Sequence, residues 1–102
     1  MWYSGIVIES WQNDDLKNYF LNDRRYKGLP SDLERRVFKK LQMIDDATCD
    51  ADLRSPPSNH FEKLEGKLEG LHSIRVNDQW RLIFAWDGSS ASQLYIDNHS
   101  YR

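Results

Sequence analysis

The spacing of apolar residues changes about midway along the chain. In the first half, apolar positions recur every three or four residues: Leu16, Tyr19 and Phe20, then Leu33, Val37, Leu41 and Ile44. That spacing lines one side of an α-helix and predicts two helices. Ser10 is the expected cap of the first, with Asp14 and Asp15 in its first turn, where the positive end of the helix dipole favours carboxylates. Ser31-Asp32-Leu33-Glu34 reads as a capping box for the second, Ser31 capping and Glu34 reaching back. From His60 onward the period is two. Leu71 to Val76 puts Ile74 and Val76 on one face, and Ser73 and Arg75 on the other. Trp80, Leu82, Phe84 and Trp86 share one face of the next strand, and Arg81, Ile83 and Ala85 the other. A strand apolar on both faces is expected inside its sheet. His60 to Leu64 and Gln93 to Asp97 predict further strands, and the β-branched residues 3 to 9 predict one before the first helix. Asn22 to Pro30, Asp52 to Asn59, Glu65 to Gly70 and Asp87 to Ser90 read as connections without regular structure. Helices first and antiparallel strands after give an α+β fold: two N-terminal helices packed on one face of a small, mostly antiparallel sheet, in a single domain over 1–102.

Composition adds little to the fold but narrows the function. The chain is 39% hydrophobic and 13% aromatic, enough to fold around one modest core. Its single cysteine, Cys49, cannot form an internal disulfide and suits a reducing cytosol. The short apolar stretch after Met1 has no basic residues before it, so no signal peptide or membrane span is expected, and the protein reads as cytoplasmic. A net charge of -2 excludes a whole-molecule attraction to nucleic acid, so a phosphate-rich partner has to meet a local basic patch. Arg35, Arg36, Lys39 and Lys40 lie on the second helix away from its apolar stripe and read by default as solvated surface.

The candidate chemistry centres on Arg81, set between Trp80 and Leu82 on the central strand. A guanidinium there needs a partner or a task, because isolated burial of a charge is very costly. Neighbouring strands can gather Glu62, Arg81 and His99 on one face. RNA cleavage by internal attack needs such a set: a base for the 2′-hydroxyl proton, a cation for the charge building on phosphorus, and an acid for the departing 5′-oxygen. Plainer readings stand beside it. Glu62 is either that base, the ion partner of Arg81 or a solvated carboxylate; Arg81 is either functional or a structural cation; His99 is either the acid or a surface imidazole. His60 and His72 are weaker candidates, neither being placed at a strand end beside an arginine. Trp11, Trp80, Trp86 and Tyr95 offer a stacking surface for nucleic acid or protein, although their spacing favours packing in the core.

Leu53-Arg54-Ser55-Pro56-Pro57-Ser58-Asn59, then Leu64-Glu65-Gly66, then Ser73-Ile74-Arg75-Val76-Asn77-Asp78-Gln79-Trp80-Arg81-Leu82, and finally Ile96-Asp97-Asn98-His99, together resemble the HigB branch of the RelE toxin superfamily. The branch comprises toxins of type II toxin–antitoxin systems, also known as plasmid maintenance killer proteins. The resemblance implies a RelE-like fold and a ribosome-dependent mRNA endonuclease that uses no metal or other cofactor. It also implies a HigA-like helix-turn-helix antitoxin, action on mRNA in the ribosomal 30S A site, and contact with operator DNA through the antitoxin alone. On this resemblance Arg81 matches the phosphate-contacting arginine and His99 the C-terminal catalytic histidine. Glu62 matches the carboxylate used as general base by the related YoeB toxins, and Asp97 the aspartate two residues before the histidine. Arg75 and Lys67 would add positive charge for RNA. The family tyrosine before the histidine is Asn98 here, leaving Tyr101 as its possible substitute. A second reading follows from that departure and from the acidic balance: a catalytically weak toxin-like protein that mainly binds the antitoxin and co-regulates the operon.

Overall fold

A computed structural model describes residues 8–98. Helices α1 (Asp14–Asn22), α2 (Glu34–Asp46) and α3 (Asp50–Arg54) precede strands β1 (Glu62–Lys63), β2 (Leu71–Arg75), β3 (Arg81–Trp86) and β4 (Ala91–Asp97). The strands pair antiparallel in chain order, which puts β3 inside the sheet as its two apolar faces predict. The α+β class is therefore as expected. Of the strand expected over 3–9, residues 3–7 lie outside the described residues; Ile8 bridges Ala91 in parallel, and Trp11 bridges Leu94. The amides of Glu9 and Gln12 donate to the carbonyls of Ala91 and Leu94 at 2.7 and 2.9 Å.

Neither expected cap forms. Asn13, not Ser10, caps α1, its side-chain oxygen accepting from the Leu16 amide at 3.1 Å. Ser10 instead serves the sheet: β4 carries one extra residue between the pairs Ile83–Tyr95 and Ala85–Ser92, and the Gln93 amide in that bulge donates to the Ser10 hydroxyl at 2.8 Å. The box at Ser31 does not form. Ser31–Leu33 make a 3-10 turn without a side-chain cap, and the Glu34 carboxylate faces Arg25 at 3.4 Å.

The stretch expected to be irregular from Asp52 begins inside α3, a third helix that the hydrophobic spacing did not suggest. A cis Ser55–Pro56 bond and a 3-10 turn at Pro57–Asn59 follow. Asn59 is fully buried and ties this segment together. Its amide nitrogen donates to the carbonyls of Leu53 and Ser55 at 3.0 and 3.3 Å, and its oxygen accepts from Lys40 on α2.

The core forms where the helices meet the inner face of the sheet. Leu16, Val37, Leu41, Ile44 and Leu53 pack with Ile74, Leu82, Phe84 and Leu94. Each such side chain contributes about 1.5–3 kcal/mol by leaving water. Trp86 joins them and donates its Nε1–H to Asp50 at 2.7 Å, fastening β3 to α3. Trp11 and Trp80 also pack against this core, so Trp11, Trp80 and Trp86 are structural rather than a free stacking surface. Among the described residues no helix is long and apolar enough to cross a membrane.

Candidate active site

Register decides what shares a face with Arg81. Ile74, Leu82 and Ile96 form one row across β2, β3 and β4, and all three belong to the core. The alternate rows, Ser73–Ile83–Tyr95 and Arg75–Arg81–Asp97, therefore belong to the opposite face. The first row continues to Glu62, which pairs with Ser73 on the short edge strand. The β2–β3 turn fixes this register: the Asn77 side-chain oxygen accepts from the amides of Gln79 and Trp80 at 2.8 and 2.7 Å, and the Val76 amide donates to the Trp80 carbonyl at 2.9 Å.

Arg81 is only 7% exposed. Its Nε donates to the Ser73 hydroxyl at 3.1 Å and its Nη2 to the His60 carbonyl at 3.0 Å. Nη2 also lies 3.3 Å from Oε1 of Glu62, whose side chain is 53% exposed. Two of these three acceptors are neutral, so they orient the guanidinium without cancelling its charge. The third sits largely in water, where an ion pair contributes little. Nη1 has no acceptor among the described residues. The result is a rigidly held cation in a low-dielectric setting, with one nitrogen uncommitted among the described residues, beside a carboxylate that solvent can reach. A phosphodiester oxygen fits the open guanidinium position, and the carboxylate stands where a proton acceptor would be needed.

The other sequence candidates divide. Asp97 lies directly across from Arg81 on β4, half-buried and already engaged. Arg75 pairs with Arg81 from β2, yet its guanidinium is bound by Asp78 in the following turn. Lys67 is exposed in a 3-10 turn at Gly66–Leu68, beyond the Leu71 end of β2, while Arg75 and Arg81 sit at the other end. The structure does not bring it to Arg81. His99 and Tyr101 lie outside the described residues.

His60 departs from its expectation: it does stand beside the arginine, through its backbone carbonyl, at a left-handed φ of 45°. His72 is half-buried on the core side, stacked on Phe61 with ring centroids 5.3 Å apart, and its Nδ1 has no hydrogen-bond partner among the described residues. Burial holds its imidazole below the ordinary histidine range, Lys63 adds to that, and Asp50 opposes it. Sequence reasoning missed Ser73 as the hydroxyl that holds Arg81. Its place on the Arg75 face was visible, but only the hairpin register puts it beside the guanidinium.

A small antiparallel sheet, backed by helices on one face and carrying a firmly held arginine on the other, is the frame of a RelE-like toxin. The chain belongs to the HigB-like family: the family model for the RelE-like toxin HigB of type II toxin–antitoxin systems matches residues 9–99. It is similar to Toxin HigB-1 of Vibrio cholerae serotype O1, 46% identical over 86 residues that cover 84% of this chain and 90% of that protein. It is also 40% identical, over 93 residues covering 91% of this chain and 92% of the relative, to an uncharacterized protein of Haemophilus influenzae. The protein is thus a toxin of a type II toxin–antitoxin system, and such a toxin implies an antitoxin partner.

Proposed function

We propose that this toxin is a ribosome-dependent endoribonuclease that cuts mRNA as it is translated in the bacterial cytoplasm. The observation that carries the reading is Arg81, held on three acceptors, its Nη1 without an acceptor among the described residues and Glu62 3.3 Å away. In the proposed reaction Glu62 takes the proton of a 2′-hydroxyl. The 2′-oxygen then bonds to the adjacent phosphorus, the bond from phosphorus to the 5′-oxygen breaks, and a 2′,3′-cyclic phosphate is left. Arg81 stabilises the charge that builds on the non-bridging oxygens. His99 protonates the departing 5′-oxygen. Arg75 and Asp97, which flank Arg81 in its row, position the strand, with Lys67 and Tyr101 assigned more peripheral RNA contacts. The partner is a HigA-like helix-turn-helix antitoxin, through which the complex reaches operator DNA.

The test is a reconstituted translation reaction with mRNA ends mapped by primer extension, with and without ribosomes. Cuts inside translated codons, present only with ribosomes, are expected. Arg81→Gln keeps a donor for Ser73 but no cation, and should lower cleavage by about 10²-fold or more. Its melting temperature should fall by less than about 10 °C, because Glu62 is exposed enough to be rehydrated. Cleavage that survives Arg81→Gln would sink the assignment. The presence of Asn98 in place of the family tyrosine favours a second reading, the antitoxin-binding protein of weak activity. It predicts tight antitoxin binding by a folded parent protein that leaves translated mRNA intact.

A further inference from the structure

A cleft of about 690 Å³ opens between α2, the Pro57–Asn59 turn and the β2–β3 turn. Arg36, Lys39 and Lys40 line it from the helix and Arg75 from the sheet, against Asp78 as the one carboxylate of the lining. The cleft therefore concentrates positive charge on a chain whose formal net charge is -2. Most of that charge is held but not cancelled. Arg36 donates to the Val76 carbonyl at 3.4 Å and Lys40 to the Asn59 side-chain oxygen, both neutral acceptors. Lys39 makes no ion pair among the described residues. Arg75 is paired with Asp78, whose side chain is 93% exposed, so an incoming anion can compete for that pair at small cost. Burial and the neighbouring Arg36 hold the Lys40 ammonium below the ordinary lysine range. Like charges gathered this closely oppose folding, and a bound anion would relieve them.

We propose that this cleft is a second RNA site, holding phosphodiester backbone continuous with the strand presented to Arg81. Two observations favour RNA over an acidic peptide. Arg75 lines the cleft while pairing directly with Arg81 in the sheet, so one chain of evenly repeated charges spans both features. Met43 adds a half-buried apolar lining against which a ribose or base can lie, a surface that carboxylates alone would not use. The inference rests on the reading of the protein as an RNA-acting toxin, and assigns a task to a helix face that otherwise looks like plain solvated surface.

The experiment is fluorescence anisotropy of a labelled single-stranded RNA decamer, fully 2′-O-methylated so that internal attack cannot occur, titrated at several salt concentrations. Arg36→Glu and Lys39→Glu alter exposed residues of the cleft, and Lys17→Glu on α1 makes the same charge change outside it. The parent is expected to bind, with log affinity falling against log salt at a slope of about 2–3. Each cleft variant should weaken binding about tenfold and lower the slope by about 0.7, while Lys17→Glu stays within about twofold of the parent. A parent that fails to bind at low salt overturns the proposal, as do cleft variants no weaker than Lys17→Glu. Cleft variants that keep RNA affinity but lose the antitoxin would make this the antitoxin's face and overturn it too. Because the probe cannot be cut, the two readings fail separately. Absent mRNA cleavage with cleft-dependent binding removes the nuclease assignment alone; normal cleavage with cleft-independent binding removes the cleft alone.

Discussion

Asn59→Ala should be among the most damaging single changes outside the apolar core. The substitution removes two donors and one acceptor from a side chain with no exposure. The Leu53 carbonyl belongs to a fully buried residue, so leaving it unpaired costs about 1–3 kcal/mol. The Ser55 carbonyl is on an exposed residue and water can replace its donor, so that loss is about 0.5–1.5 kcal/mol. Lys40 is half-buried and loses its acceptor, about 1 kcal/mol more. Together the expected destabilisation is about 3–5 kcal/mol, a large share of the 5–15 kcal/mol typical of such domains. Urea unfolding followed by tryptophan fluorescence measures it directly, since Trp80 and Trp86 pack in or against the core. Asn59→Asp is the sharper control. It keeps the shape and can still pair with Lys40, but turns a donor into an acceptor facing two carbonyls, so it should be no more stable than the alanine variant. The reasoning is refuted if Asn59→Ala unfolds within about 1 kcal/mol of the parent, or if Asn59→Asp matches the parent.

Two further outcomes follow from the core side of the sheet. His72 has a folded pKa below its ordinary value of 6.5, so the unfolded chain binds its proton more readily. Its contribution to stability is complete above that value and is lost as pH falls from there toward the depressed folded pKa. His72→Phe keeps the stack on Phe61 and should flatten the decline in stability between about pH 7 and pH 5; an unchanged pH profile would remove His72 as its cause. Trp86→Phe breaks the indole bond to Asp50 that fastens β3 to α3. A double-mutant cycle with Asp50→Ala should give a coupling of about 1–2 kcal/mol, and a coupling near zero would show that bond to be idle.

The two main helices, the hairpin and the interior position of β3 were legible in the sequence because each rests on a local period. What was not legible depends on which of several equivalent polar groups a backbone reaches. Ser10 and Asn13 are both good caps, and the bulge at Gln93, 83 residues beyond Ser10, decides that Ser10 is needed elsewhere. Glu34 fits a capping box, but the 3-10 turn before α2 leaves it to Arg25. α3 is too short to show a period, being five residues long. Arg81 with Glu62 was visible as a charge needing a partner on the next strands. Ser73 and the His60 carbonyl were not, since a register and a left-handed backbone residue carry no compositional mark. The family resemblance pointed to the toxin fold, but the cleft joining α2 to Arg75 emerged only when helix and sheet were placed together.

The segment from Ile8 to Gln12 does more than continue the sheet. By pairing along β4 it closes the longer open edge of the ladder, where another chain's strand would otherwise add. The opposite edge, β1, is two residues long and consists of Glu62 and Lys63, a charged pair that another strand gains little by joining. A type II toxin with both edges so covered is guarded against edge-to-edge pairing with copies of itself. The same closure limits how an antitoxin can hold it: by gripping side chains across the helical or open face, or by first peeling the N-terminal segment from β4.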